Sequence, residues 1–299
     1  MTINVKTVCP NKSFDISGMS YIGKPRSNTA MYITKKVSSL LPALIEVDNC
    51  LVFAENGLSV SAKLEEKHAF CFSDSPQKDY ASFADSFYHE RLELEKKIPM
   101  SLVDGRYYIS ETAEVGENAY IEPGCIIGPD VIIGKNAFIM AGTIIKHSII
   151  GDNFVSNEYA LIGSNGFTMT EDDCGNKFRI PTLGRVIIGN NVEVGAHDNI
   201  SCGSGGDTII DDYVKLDSLV HVGHDVHIHK NTEIASGTIL GGFSSIGERV
   251  FMGINTTVRN RVSIEDGAFI SMGAAVMKNV SQQLEMIGNP ARPVPTVNR

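Results

Sequence analysis

The sequence lacks features that mark several common functional classes. Its net charge is −9, from 35 acidic and 26 basic residues, so it has no basic excess of the kind that binds nucleic-acid phosphates. Its six cysteines are scattered, without the spacing of a zinc site or a disulfide framework. It contains no signal-peptide pattern and no run near the roughly 18 apolar residues that cross a bilayer. We therefore expect a cytoplasmic protein that binds no nucleic acid and does not span a membrane.

The sequence contains instead a repeat of six residues. One long aliphatic series has this step: Ile210, Leu216, Val222, Ile228, Ile234, Leu240, Ile246, Met252, Val258, Ile264, Ile270 and Val276. An earlier series has the same step: Ile109, Val115, Ile121, Ile127, Ile133, Ile139 and Ile145. A unit this short holds one strand and one corner, so three units close a rung of about 18 residues. Stacked rungs form a parallel β-helix whose aliphatic residues point inward.

The repeat divides the chain into parts. Residues 1–104 lack the step and contain short apolar stretches followed by an amphipathic helix ending near Pro99, so we predict a small α/β domain there. Residues 105–282 form the predicted β-helix, and residues 283–299 form a C-terminal tail. Residues 163–187 interrupt the step with Gly, Pro and charges, which predicts a long and functional loop.

Five of the eight histidines lie between His197 and His229. One interpretation is a carbonic-anhydrase-like enzyme whose zinc is shared between subunits through His197 and the histidines of residues 221–229. However, residues six apart, such as His221 and His227, occupy adjacent faces of the coil and cannot converge within one chain. We therefore expect no bound metal. We expect His224, beside the Gly223 corner, to project outward into a cleft between subunits of a closed homotrimer.

Three segments carry a specific resemblance: KLDSLVHVGHDVHIHKNTEIASGTILGG at residues 215–242, GSNGF at 163–167 and IPTLGRVIIG at 180–189. They resemble the UDP-3-O-acylglucosamine N-acyltransferase family of lipid A synthesis, and the similarity extends over nearly the whole chain. The resemblance implies left-handed winding of the β-helix. It also implies transfer of an acyl group from a thioester to the amine of a nucleotide-linked sugar.

The resemblance implies roles for three residues. His224 would act as the general base that deprotonates the amine, a task that suits an imidazole. Asp217 would be the acidic residue that orients His224, although it could equally be a corner residue. Gly242, one rung after His224, would stabilise the oxyanion through its backbone N–H and contact the acyl donor, or would only relieve crowding at a corner.

The chain departs from the family where substrate is bound. Arg261 stands where the family has a second histidine. The family stacks uracil between two aromatic residues, of which Tyr21 is retained while Ser27 replaces the other. Tyr32 is a candidate for the missing second aromatic residue of this domain, which we expect to bind a uridine-type nucleotide. Alternatively, the base is thymine. Asn165 and Phe167, in the family's loop motif, complete the predicted substrate contacts.

The ending IGNPARPVPTVNR resembles sugar acetyltransferases of the same repeat class. This resemblance makes one short turn a candidate donor-binding segment, consisting of Gly288, Asn289, Pro290, Ala291 and Arg292. Alternatively, the turn only covers the open sheet edge of the last rung.

We therefore predict an N-acyltransferase that moves acetyl from acetyl-CoA onto a UDP- or dTDP-linked amino sugar for surface polysaccharide synthesis. The alternative is the lipid A reaction itself, in which UDP-3-O-(3-hydroxyacyl)glucosamine is acylated from acyl carrier protein. In both cases the thioester is a co-substrate, and no cofactor is bound permanently. A noncatalytic β-helix used for binding is a further alternative, in which His224 would have no catalytic role.

Overall fold

The computed structural model describes residues 2–172 and 174–293, and the chain separates into two compact units. The first unit contains the N-terminal residues through Lys96, together with Phe167–Gly184 and Ser204–Gly206. The second unit contains Lys97–Gly166, Arg185–Gly203 and the chain from Asp207 onward. Most of the predicted 163–187 loop therefore belongs to the first unit.

The first unit is a small α/β body around a parallel sheet, which confirms the α/β prediction for the N-terminal region. The parallel strands are Gly18–Met19, Thr29–Ile33, Leu51–Glu55 and Ala69–Ser73. Two antiparallel pairs join Ile3–Asn4 to Asp15–Ile16 and Met169–Glu171 to Lys177–Arg179. The helical segments are Val5–Thr7 and Lys35–Glu46, both 3-10, and the α-helices Ala62–Lys67 and Pro76–Glu95.

The helix Pro76–Glu95 covers this sheet because its apolar residues recur at helical spacing. Proline at its first position is already restricted to a helical φ angle, which favours initiation there. Tyr80, Ala84 and Phe87 fall on one side and are buried. The Phe83 ring packs with its centroid 5.8 Å from that of Phe53 on a strand of the sheet.

The second unit is a β-helix with three faces among the described residues. Face A contains Met100–Val103, Tyr107–Ser110, Ile126–Ile127, Ile144–Ile145, Leu161–Ser164, Asn199–Ser201, His221–Val222, Ile239–Leu240, Thr257–Val258 and Ala275–Val276. Face B contains Glu114–Val115, Ile132–Ile133, Ser148–Ile150, Val186–Ile188, Thr208–Ile210, His227–Ile228, Ser245–Ile246 and Ser263–Ile264. Face C contains Tyr120–Ile121, Phe138–Ile139, Val155–Ser156, Glu193–Val194, Lys215–Leu216, Glu233–Ile234, Phe251–Met252, Phe269–Ile270, Glu285–Ile287 and Arg292–Pro293.

The six-residue repeat determines which side chains fill the coil. Residues 18 apart are paired in register, as His221 with Ile239 and Val222 with Leu240. In each two-residue strand the second side chain points inward because successive side chains alternate. Every residue of the predicted series from Ile210 to Val276 is at most 3% exposed. The predicted β-helix and its core are therefore confirmed.

Both interruptions of the repeat leave the coil between face A and face B. One connects Leu161–Ser164 to Val186–Ile188, and the other connects Asn199–Ser201 to Thr208–Ile210. In the next rung the same connection is only 223–226, between His221–Val222 and His227–Ile228. We call this edge of the coil the A–B corner.

The described end of the chain folds back onto face C. Arg292–Pro293 pairs antiparallel with Glu285–Ile287 and so covers the edge of that sheet. Residues 294–299 of the predicted tail lie outside the described residues. Across the described ranges, no helix has both the length and the apolar character needed to cross a bilayer.

Candidate functional site

His224 lies at the A–B corner, and only 7% of its surface is exposed. Its Nδ1 is 2.8 Å from a carboxylate oxygen of Asp225. Because a carboxylate only accepts hydrogen bonds, Nδ1 carries the hydrogen and donates it. In the neutral ring this makes Nε2 the basic nitrogen. The Asp225 backbone N–H donates to Thr208 Oγ1 at 2.9 Å, which anchors the carboxylate-bearing residue to the neighbouring strand.

Gly242 lies directly against the basic nitrogen of His224. The 18-residue register pairs the strand before His224 with the strand before Gly242. A Cβ atom at Gly242 would be 2.6 Å from His224 Nε2, closer than real Cβ contacts allow. Only glycine therefore fits here without a shift of the imidazole. The structure brings together this sequence-predicted pair.

Two further side chains lie at the A–B corner in the rungs that follow His224. The Phe243 ring meets the His224 ring edge to face, with centroids 5.0 Å apart. The Arg261 guanidinium carbon lies 4.3 Å from the centroid of Phe243, in a cation–π contact. Arg261 thus shares the corner with His224 through Phe243, a residue that the sequence analysis did not select.

Asp217 lies at a different corner of the coil from His224. It follows the face C strand Lys215–Leu216, whereas His224 follows a strand of face A. Its carboxylate accepts hydrogen bonds from the Ser236 hydroxyl and, with a smaller effect, from the Ser218 backbone N–H, and these hold its pKa below the usual range. The carboxylate beside His224 in this chain is that of Asp225. The sequence did not indicate Asp225, because side chains of adjacent residues on a regular strand point to opposite sides.

The other histidines of the cluster have separate surroundings. Burial, and to a smaller extent the charge of His224, lowers the pKa of His221. His197 is exposed between faces C and A, where its ring stacks on Tyr159 with centroids 5.3 Å apart. His227 and His229 instead meet Asp211 on the outer side of face B.

The predicted base-binding residues belong to the first unit. Tyr21 is half-buried and forms a bridge with Lys24. Tyr32 packs against Tyr80, with ring centroids 5.3 Å apart, and contributes to the core of this unit. Ser27, at the position of the family's second aromatic residue, accepts a hydrogen bond from the Asp48 backbone.

The two loop residues differ in their surroundings. Phe167 belongs to the first unit and is 76% exposed. The centroid of its ring lies 5.5 Å from the Arg179 guanidinium carbon. Asn165 belongs to the second unit and is exposed directly after the strand Leu161–Ser164.

The predicted donor-binding turn lies at the end of the coil. Gly288 has a φ angle of 84°, and Asn289–Pro290 is a cis peptide bond. The Ala291 backbone N–H donates to Ala275, and Arg292 Nη1 donates to the Ala291 carbonyl oxygen. Ala275 lies three rungs beyond His221 on face A. At about 4.8 Å per rung, the turn is about 14 Å along the coil from the His224 level.

Two protein-family models match the coil. Residues 103–201 match the GMPPB C-terminal domain, and residues 207–242 match the bacterial transferase hexapeptide, a model of six repeats. The second match contains His224, Asp225 and Gly242.

Curated relatives show the same similarity. A UDP-3-O-acylglucosamine N-acyltransferase of Methylorubrum extorquens is 32% identical over 156 residues, covering 52% of this chain and 44% of the relative. A protein of the same name from Coxiella burnetii is 31% identical over 209 residues, covering 62% and 60%. The chain spans about half the length of the curated relatives it matches. The alignments cover less of the chain than the nearly complete resemblance expected from the motifs.

A solved structure has a similar fold. The UDP-N-acetylglucosamine acyltransferase of Francisella novicida aligns with a TM-score of 0.58 at 26% identity, covering 63% of this chain and 68% of that one.

Proposed function

We propose that the chain, whose coil matches the bacterial transferase hexapeptide model and whose curated relatives are named as N-acyltransferases, transfers an acyl group from a thioester to the amine of a nucleotide-linked amino sugar. One observation carries the proposal: His224 donates through Nδ1 to Asp225 while its Nε2 lies against Gly242. This contact supports our assignment of His224 as the base and of the Gly242 backbone N–H as the donor to the oxyanion.

The chemistry follows from these positions. The amine nitrogen attacks the thioester carbonyl carbon while His224 Nε2 takes a proton from the amine. The developing imidazolium is stabilised by the Asp225 carboxylate, and the Gly242 N–H donates to the oxyanion. The tetrahedral intermediate then collapses: the carbon–sulfur bond breaks, and the proton held by His224 passes to the departing thiolate. The products are an amide and a free thiol.

The names of the curated relatives support one acceptor over the others. Each is a UDP-3-O-acylglucosamine N-acyltransferase, so a UDP-linked glucosamine already acylated on O3 is the acceptor that we propose. This favours the lipid A reaction, with 3-hydroxyacyl carrier protein as donor, over the acetyl-CoA reaction expected from the tail. Tyr21 is our candidate for stacking on the base, and the cytoplasm is the compartment that we propose.

Acetyl transfer from acetyl-CoA is a second candidate because of the Gly288–Arg292 turn. This turn carries the sugar-acetyltransferase motif and pairs back onto face C. Its distance of about 14 Å along the coil from the His224 level requires the donor to extend along several rungs.

We also propose a homotrimer, although the His224 side chain, which we expected to project outward, is already largely buried within the single chain, with 7% of the residue exposed. The A–B corner forms only one side of an active-site cleft. A neighbouring subunit of the trimer would form the opposite side. Light scattering on the purified chain measures this directly. A monomer that is fully active would contradict the shared cleft.

The experiment that tests the proposal is a thiol-release assay on the purified full chain. Each donor, acetyl-CoA and 3-hydroxyacyl carrier protein, is incubated with UDP-3-O-acylglucosamine. We expect turnover with the carrier-protein donor, and His224→Ala should lower kcat by about 10²- to 10⁴-fold. His197→Ala is the matched control, because His197 is an exposed histidine of the same coil, at another corner. Full activity of a folded His224→Ala variant would overturn the proposal, and turnover with acetyl-CoA alone would favour the second candidate.

A further inference from the structure

Three metal-ligating side chains meet on the outer side of face B: Asp211, His227 and His229. None of them takes part in the acyl-transfer chemistry proposed above. We propose that these three residues form a binding site for a divalent transition-metal ion of the zinc class, within a single chain and with a coordination position left open. The inference does not depend on the acyl-transfer reaction.

The distances suit a small tetrahedral ion. One ligand atom from each residue lies within 4.8 Å of the other two. His227 Nε2 is 3.1 Å and His229 Nδ1 is 3.3 Å from the same Asp211 carboxylate oxygen. Zinc binds nitrogen and oxygen at about 2.0–2.2 Å, so two tetrahedral ligand atoms stand about 3.4 Å apart. A zinc ion therefore needs only small side-chain adjustments to enter.

The fold itself holds the ligands together. His227 points outward on its face B strand, and His229, two residues later, points to the same side. Asp211 stands one rung before His229, and its backbone N–H donates to the Ile228 carbonyl oxygen between the two histidines. Since the backbone N–H groups of all three residues donate to carbonyl oxygens of the next rung, little ordering is needed when an ion binds.

The surroundings leave room for a fourth ligand. The three side chains are 28–34% exposed. A groove of about 410 Å³ begins at His229 and is lined further along by Ser245, Gly247, Glu248 and Glu265. Gly247 follows His229 by one rung and lines the same groove. The two carboxylates add negative charge that favours a cation. A water molecule completes the coordination in this proposal.

This site differs from the shared zinc site considered for the sequence. That site required His197, which stacks on Tyr159 at another corner. It also shared its ion between subunits, whereas His227 and His229 are two residues apart on one face of a single chain. The sequence did not indicate Asp211 as a ligand, because it lies 16 and 18 residues before its partners, and only the coil brings them together.

The test uses the full chain without an affinity tag, stripped with EDTA and dialysed. Calorimetric titration with Zn²⁺ should show one equivalent bound per chain. The double variant His227→Ala, His229→Ala should lose this equivalent. Asp211→Asn should weaken binding by more than about tenfold, since even loss of an outer partner of a metal ligand typically costs 10- to 100-fold. His89→Ala, an exposed histidine paired with Asp85 on the helix Pro76–Glu95, should leave binding unchanged.

A second measurement guards against variants that fail to fold. Co²⁺ added to the stripped chain should give the visible absorption bands of a four-coordinate site, and a folded Asp211→Asn variant should need at least about tenfold more Co²⁺ to reach half of their intensity. Thermal unfolding should shift upward with Zn²⁺ in the unmodified chain and in His89→Ala, but not in the double variant. Absence of saturable binding by the unmodified chain, or binding that the double variant retains, would overturn the site. Neither result depends on whether the chain transfers acyl groups.

Discussion

The His224 imidazole and the Asp225 carboxylate belong to adjacent residues, yet their Nδ1 and Oδ2 atoms lie 2.8 Å apart. Adjacent side chains on a regular strand point to opposite sides, so this contact depends on the corner. Asp225 has a φ angle of 59°, in the left-handed region, which turns its side chain back toward the ring. The hydrogen bond from its backbone to Thr208 holds that conformation.

This contact predicts that Asp225, and not Asp217, positions the base. Asp225→Asn should lower kcat by about tenfold or more with little change in KM, because it removes the charge that stabilises the imidazolium. Asp217→Asn should cost clearly less, because Asp217 contacts Ser218 and Ser236 instead. Steady-state kinetics of the two variants measures the difference. A larger loss from Asp217→Asn would restore the assignment expected from the sequence.

Gly242→Ala should damage catalysis more than stability. The added methyl would lie 2.6 Å from His224 Nε2, so the ring must leave its position. We expect kcat/KM to fall at least about tenfold, while overpacking costs about 1–3 kcal/mol of unfolding free energy. Gly18→Ala is the control, since a Cβ there meets nothing within 4 Å. Unchanged kinetics in Gly242→Ala would show that the ring does not need this space.

Asp198 should make the stability of the chain depend on pH. It is 1% exposed, and burial raises its pKa from 3.8 to about 7, although the Val220 and Gly195 backbone N–H groups donate to it. Between about pH 4 and 7 the folded chain therefore binds more protons at this site than the unfolded chain. The contribution of Asp198 to the unfolding free energy is greatest below this window and falls as pH rises through it.

The measurement is urea unfolding of the unmodified chain and of Asp198→Asn at pH 5 and pH 8. About two pH units of this window lie between pH 5 and pH 8, and one pKa unit corresponds to 1.36 kcal/mol, so the stability difference should move in favour of the variant by about 2.6 kcal/mol. A difference between the two proteins that stays constant with pH would contradict the raised pKa.

The register of the coil predicts that replacing either of two isoleucines by alanine lowers the unfolding free energy by different amounts. Ile246 is fully buried, whereas Ile239 is 46% exposed on face A. Ile246→Ala should cost about 2–5 kcal/mol of unfolding free energy through lost burial and a cavity. Ile239→Ala should cost less than about 1 kcal/mol, because much of its side chain remains in water. Chemical denaturation checks both, and equal costs would contradict the inward register.

The sequence by itself determined the architecture of the coil. A six-residue aliphatic step can be buried on one side only if each unit makes one strand and one corner, so the period specified the rung, the core and the register. The register in turn predicted that Gly242 would lie against His224, because both stand at the same point of successive rungs. A local periodic pattern contains all of this information.

Only the tertiary structure decided which polar side chains meet. Asp225 reaches His224 through one left-handed residue at a corner, and Asp211 reaches His227 and His229 across a rung. Such contacts depend on corner geometry and side-chain direction, which a hydrophobic period does not encode. The same distinction separates Asp217 from His224: the period places each residue at a corner, but the closed coil shows that the two corners differ.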